Sequence, residues 1–164
     1  MQDNDKQSEQ FHYNYLPAPV AAYFQDALGC YRHGLAHAFA VMCRLTVQAV
    51  FAEQGESFRL KLFDQVEETS RLANVDDHIH RQIRDILFGT DTTSLYQADG
   101  LSRETTAVLL EIMKDILQQT YIRHALLRQK LKMRRFFATQ SDEILDAETT
   151  NPKVSQFKRP TGTG

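Results

Sequence analysis

Leu35-Ala-His-Ala-Phe-Ala-Val-Met-Cys-Arg44-Leu-Thr-Val-Gln-Ala-Val-Phe51 is the stretch on which the reading of the fold turns. Leu35, Phe39, Val41, Met42, Leu45, Val47, Val50 and Phe51 surround a helix drawn over it, leaving almost no polar face. Such a helix belongs in the middle of a bundle. Arg44 interrupts it, and a cation placed there needs a carboxylate or a backbone partner.

On the N-terminal side, Pro17 and Pro19 punctuate a helix start, and proline suits a first helical turn. Val20, Tyr23, Phe24, Ala27, Leu28 and Tyr31 then recur at helical spacing, and Gly34 ends or bends that helix. Residues 1–16, rich in Asp, Gln and Asn, read as a flexible arm. On the C-terminal side, Gln54-Gly55-Glu56 supplies the exit, and Ser57 is the expected N-cap of a third helix carrying Leu60, Phe63, Val66 and Leu72. Asn74 is the expected cap of a fourth, with Asp76 and Asp77 opposing the helix dipole in its first turn. Its buried stripe is Ile79, Ile83, Ile86 and Leu87, and Gly89 fits its C-terminal cap. After a polar loop over 90–100, Ser102 caps a last helix in which no Gly or Pro recurs before Pro152. If continuous over 103–137, it would run about 50 Å at 1.5 Å per residue, so its far end must project, bend or pack on another chain. Residues 139–164 read as a disordered tail. The expected fold is therefore all-α: a single bundle of about five helices over 17–138, with a long C-terminal helix and disordered termini.

The net charge of −2 over 164 residues excludes a nucleic-acid footprint spread over the whole chain. The charge is unevenly placed, however: residues 1–100 hold 8 basic and 14 acidic side chains, and 101–164 hold 11 and 7. A polyanion site belongs in the second half. Cys30 and Cys43 sit among apolar residues at helix-like spacing and read as free thiols. A polar, acidic start does not resemble a signal peptide, and no apolar run approaches the ~20 residues of a membrane span. The expectation is a cytoplasmic protein.

The run from Leu16-Pro-Ala-Pro-Val-Ala-Ala-Tyr-Phe-Gln-Asp-Ala-Leu-Gly-Cys-Tyr-Arg-His-Gly34 into Ala-Phe-Ala-Val-Met-Cys-Arg44 resembles the opening of domain-of-unknown-function family 4145. The family's acidic-Ala pair falls on Asp26-Ala27, its glycine turn on Gly34 and its arginine on Arg44. Leu62-Phe-Asp-Gln-Val66 and the stretch from Ile79 through Arg84 to Gly89 are similar to its second half, so the resemblance covers about residues 16–120. It implies a HEPN-like all-α bundle of bacterial origin, found alone or attached to restriction and defence proteins. Active HEPN ribonucleases carry an arginine followed four to six residues later by histidine, and this family's version reads Arg, a short gap, Gly-Asn, then His. Arg84 and Gly89 match, but Thr90 replaces the asparagine and no histidine follows before His124. Gln48 stands where the family has a glutamate. Both departures argue against inherited catalysis.

Arg32…His37 and Arg71…His78 satisfy arginine–histidine spacings, and His80 lies one helical turn from Arg84. A base beside a charge stabiliser is sensible chemistry for cleaving RNA, but turn and surface roles explain these residues equally. Asp26, Cys30, His33 and His37 would share a face of one unbroken helix and are zinc-ligand types. Gly34 breaks the alignment, and Asp76-Asp77-His78-Ile79-His80 is explained by helix-start electrostatics. No metal or cofactor is expected. The most suggestive segment is Arg123-His-Ala-Leu-Leu-Arg128-Gln-Lys130-Leu-Lys132-Met-Arg134-Arg135-Phe-Phe, with six basic residues and no acid. Such a helix can meet phosphate, an acidic membrane surface or a partner's groove.

Three readings stand. One is a non-enzymatic module acting by protein–protein contact as a homodimer, with Tyr121, Leu127 and Phe136 at the contact. The second is nucleic-acid binding through Arg123, Arg128, Lys130, Lys132, Arg134 and Arg135. The third is a HEPN-type ribonuclease built on Arg84 with His78 or His80.

Overall fold

A computed structural model describes residues 11–97, 100–149 and 162. The chain divides into two compact units, residues 1–125 and 126–164. In the first, a 3-10 turn at Tyr13–Tyr15 leads into α1 (Ala18–Arg32), α2 (Ala36–Gln54), α3 (Phe58–Leu72), α4 (Asp77–Phe88), the short α5 (Thr93–Gln97) and α6 (Arg103–Leu117). A π turn at Gln118–Ile122 joins α6 to α7 (Arg123–Thr149), so one long helix closes the described chain. There is no strand among the described residues. The all-α bundle with a long C-terminal helix is thus the observed architecture. The first unit ends at Ala125, within α7, and none of the residues of α7 is buried. Residues 1–10 of the expected arm, and 150–161 and 163–164 of the expected tail, lie outside the described residues.

The second helix is the axle of the bundle. It contacts α1, α3, α4, α5 and α6, and Phe39, Ala40, Cys43, Val47 and Val50 are fully buried. Gly34 at φ +70° and Gly55 at φ +88° break the chain at either end in a conformation that side chains rarely adopt. Around it α1 contributes Val20, Phe24 and Ala27, one residue per turn of a single face. Tyr23 stands 37% exposed, off that line. Residues 11–16 pack rather than wave: Leu16 is buried, and the Phe11 ring lies 5.2 Å from that of Phe24. Their aromatic side chains outweigh the polar composition that suggested an arm.

Ile79, Ile83, Ile86 and Leu87 form the buried stripe of α4, as their spacing requires. The third helix departs from expectation. Its buried line is Leu62, Val66 and Ser70, at steps of four, whereas Leu60 and Leu72 are about three-quarters exposed. Both leucines lie well off the 62–66–70 line at 100° per residue. Ser57 makes no capping bond. Asp76, not Asn74, caps α4, its Oδ1 accepting from the His78 amide at 2.8 Å. Asn74 instead turns the chain at φ +51°, a left-handed position that asparagine tolerates. Ser102 does cap α6, accepting from the Thr105 amide at 3.0 Å. The loop over 90–100 contains α5, pinned by the buried Leu95.

Arg44 is 1% exposed, and backbone carbonyls solve its charge. Its Nε donates to the Ile86 carbonyl at 2.7 Å, Nη2 to Asp85 at 2.6 Å and Nη1 to Asp91 at 2.6 Å. The guanidinium therefore caps the C-terminus of α4, where orphan carbonyls and the helix dipole both favour a cation. Burial pulls its pKa below the ordinary arginine value, while the Asp91 and Asp85 carboxylates act in the opposite direction. Gly89 is the C-terminal cap of α4, as its position suggested, in an extended conformation at φ −67° and ψ 151° with its amide donating to the Asp85 carbonyl. A Cβ there would run into the Asp85 carbonyl oxygen and lie 2.8 Å from Arg44 Nη2. Glycine is required at 89 for close approach, not for a turn.

The π turn explains the last buried residue. After Leu117, a regular helix would return residue 121 to the core line; the wider turn brings Ile122 there instead, fully buried. Tyr121 is left half-buried.

Replacing Arg44 by Met should lower stability by about 3 kcal/mol, because buried carbonyls at the end of α4 lose their donor. Gly89→Ala should also destabilise. The two losses, measured by urea unfolding, should be clearly less than additive in the double variant, since they strike the same contact.

Candidate functional site

The residues of the basic segment lie on α7, and Arg123, Arg128, Lys130, Lys132, Arg134 and Arg135 are all exposed. Helical periodicity sorts them. At 100° per residue, Arg128, Lys132 and Arg135 fall within about 60° of one another on one face. Arg123, Lys130 and Arg134 fall on another, bordering an apolar stripe. That stripe is Leu126, Met133, Phe137 and Ile144, at steps of seven, four and seven, which return each residue to within about 20° of one line. Met133 is 52% exposed, Phe137 57% and Ile144 61%. The Arg128/Lys132/Arg135 face lies directly opposite. Beyond the basic segment the helix continues through 139–149, a stretch whose polarity suggested a tail. It holds no helix breaker, and Ile144 and Leu145 carry the apolar pattern onward.

Of the residues expected at a dimer contact, Leu127 and Phe136 are exposed on α7, at 52% and 59%. Tyr121 lies in the π turn, half-buried, and burial pushes its phenol pKa up.

The histidine–arginine candidates have other partners. His80 and Arg84 both turn to a residue of α3: Glu67 Oε1 lies 3.2 Å from His80 Nε2 and 3.3 Å from Arg84 Nε. The Arg84 guanidinium also covers the Phe63 ring at 5.0 Å. Spacing along α4 brings His80 and Arg84 together, but a carboxylate from α3 sits between them, and nothing in the sequence spacing could signal it. His80 and Glu67 line a cleft of about 760 Å³ with Asp64, Glu68, Arg71 and Asp77. The charged side chains of that lining are mainly acidic and poorly suited to a phosphodiester. His78 is exposed, as is Arg71. His37 Nδ1 lies 2.8 Å from the Leu95 carbonyl and its ring stacks on Tyr96, so it holds α5.

Among the described residues no three His, Cys, Asp or Glu side chains are gathered to hold a metal ion. Gly34 separates α1, which carries Asp26 and Cys30, from α2, which carries His37. Both cysteines are free thiols; Cys43 is fully buried, and burial drives its pKa well above the ordinary thiol value, with Cys30 adding to the effect. No helix among the described residues is long and apolar enough to cross a membrane.

Comparison with protein-family models, curated proteins and solved structures finds no match to this chain.

A raised thiol pKa leaves little thiolate, the reactive form. Under native conditions at pH 8 a disulfide-exchange reagent should label Cys30 and leave Cys43 unmodified. Urea should expose both, as counted by mass spectrometry.

Proposed function

We propose that this protein is a non-enzymatic helical module that acts by protein–protein contact and associates with itself as a homodimer. One observation carries the reading. Leu127, Leu131, Met133, Phe136, Phe137, Ile144 and Leu145 are each more than half exposed on a single helix. Apolar clusters of that kind on a water-facing surface mark interaction sites, and closed two-fold dimers are the commonest way to cover them. A place within bacterial defence or nucleic-acid systems and in the family named above rests on the residues quoted for the resemblance, and a cytoplasmic location on the polar, acidic start and the lack of a long apolar run. Light scattering on the purified protein at micromolar concentration should give twice the chain mass; a monomer there would sink the proposal.

A second reading is favoured by the facial sorting of α7. Arg128, Lys132 and Arg135 lie opposite the apolar stripe, so a chain that buries the stripe keeps these three cations available to phosphate. Three phosphate contacts would make affinity for labelled RNA or DNA fall about 40-fold between 50 and 200 mM salt, through counterion release. Replacing Arg128, Lys132 and Arg135 together by Gln should remove that binding while leaving the unfolding transition in place. Binding unchanged in the triple variant would eliminate this face.

A further inference from the structure

Self-association leaves open which surfaces meet and in which direction. Resting on that reading, we propose that α7 pairs antiparallel with α7 of a second copy, about a two-fold axis at the level of residue 135. Leu126 of one copy then packs against Ile144 of the other, and Met133 against Phe137.

Two independent features of α7 point to this arrangement. The first is the symmetry of the stripe. Leu126 and Ile144 lie equally far on either side of residue 135, and so do Met133 and Phe137. Reversing the helix therefore superposes the stripe on itself. This is the condition for an isologous contact, in which one patch serves both partners. Steps of seven, four and seven also hold the stripe on one face of a straight helix over its whole length. Arg135 points to the opposite side, so the two copies of this cation do not meet at the axis.

The second feature is charge. From 123 to 135 the helix carries Arg123, Arg128, Lys130, Lys132, Arg134 and Arg135 and no acid. From 136 to 149 it carries Asp142, Glu143, Asp146 and Glu148 and no base. Parallel pairing would lay the basic half against the basic half at helix-packing distance, about 8–10 Å between axes. Antiparallel pairing lays it against the acidic half. Arg123, Lys130, Arg134 and Glu148 border the stripe, and charges beside a coiled seam set partner orientation; the charges on the far side add a longer-range contribution of the same sign, and the two directions differ in the sign of their salt dependence.

The test uses the whole 164-residue chain carrying Cys30→Ser, with the buried Cys43 left in place. Leu126→Cys and Ile144→Cys proteins are mixed and oxidised gently, and the products are identified by peptide mass. The expected product is the mixed 126–144 disulfide, because paired core positions lie within disulfide reach. Products joining 126 to 126 and 144 to 144 would overturn the proposal. Dissociation of the unmodified dimer should become easier as salt rises from 50 to 500 mM; a dimer that tightens would indicate like charges in register and also overturn it. Phe137→Glu should raise the dimer dissociation constant at least tenfold while the bundle's unfolding midpoint stays put, since the side chain is exposed. A dimer indifferent to Phe137→Glu overturns the α7 interface and leaves self-association through another surface standing. A monomeric unmodified protein overturns both.

Discussion

The guanidinium of Arg44 holds together three segments that the rest of the bundle is arranged around. It rises from α2, the helix that touches all the others in its unit, and binds two carbonyls at the end of α4 and one in the connection before α5. A buried cation is costly unless dipoles converge on it. Here they do, because a helix C-terminus concentrates carbonyl oxygens in one place. The end of α4 must therefore lie against the middle of α2. Ile83, Ile86 and Leu87 enter the core from that fixed position, and the polypeptide then turns directly into the segment that carries Leu95.

Much of this was legible in the residue order because periodicity is a strong local signal. The four apolar positions of α4 and the apolar girth of α2 admit one reading each. Where a helix offers apolar residues on more than one line, the pattern is ambiguous: in α3 the 62–66–70 line wins, and Leu60 and Leu72 face outward. Residue type does not decide the caps at 57 and 74, because serine and asparagine serve several turn geometries, and tertiary placement chooses among them. The π turn leaves no compositional trace. It follows from the need to bury Ile122 while Leu117 is already in the core. The demand that Arg44 find a partner was readable, but its partners are backbone atoms, which carry no residue identity.

The candidate surfaces divide in the same way. Composition alone exposes the basic segment, since six cations without an acid stand out in any chain. Sorting those cations onto two faces requires an unbroken helix from 123 to 149, and polar residues after 138 concealed its second half. The acidic half of α7 thus went unread as part of the same element as the basic half. The meeting of His80 and Arg84 at Glu67 was equally hidden, because it depends on how α3 lies against α4 and not on spacing within either.

The bare Cα of Gly89 against Arg44 also has a bearing on how such a chain can change over generations. A methyl group at 89 would meet the backbone carbonyl of Asp85 as well as the guanidinium, so a smaller residue at 44 would open no room for it and would leave the α4 carbonyls without a donor. Glycine at 89 is thus held by backbone that no substitution elsewhere removes. Arginine at 44 and glycine at 89, distant in the chain, are expected to persist side by side in any descendant that keeps this end of α4.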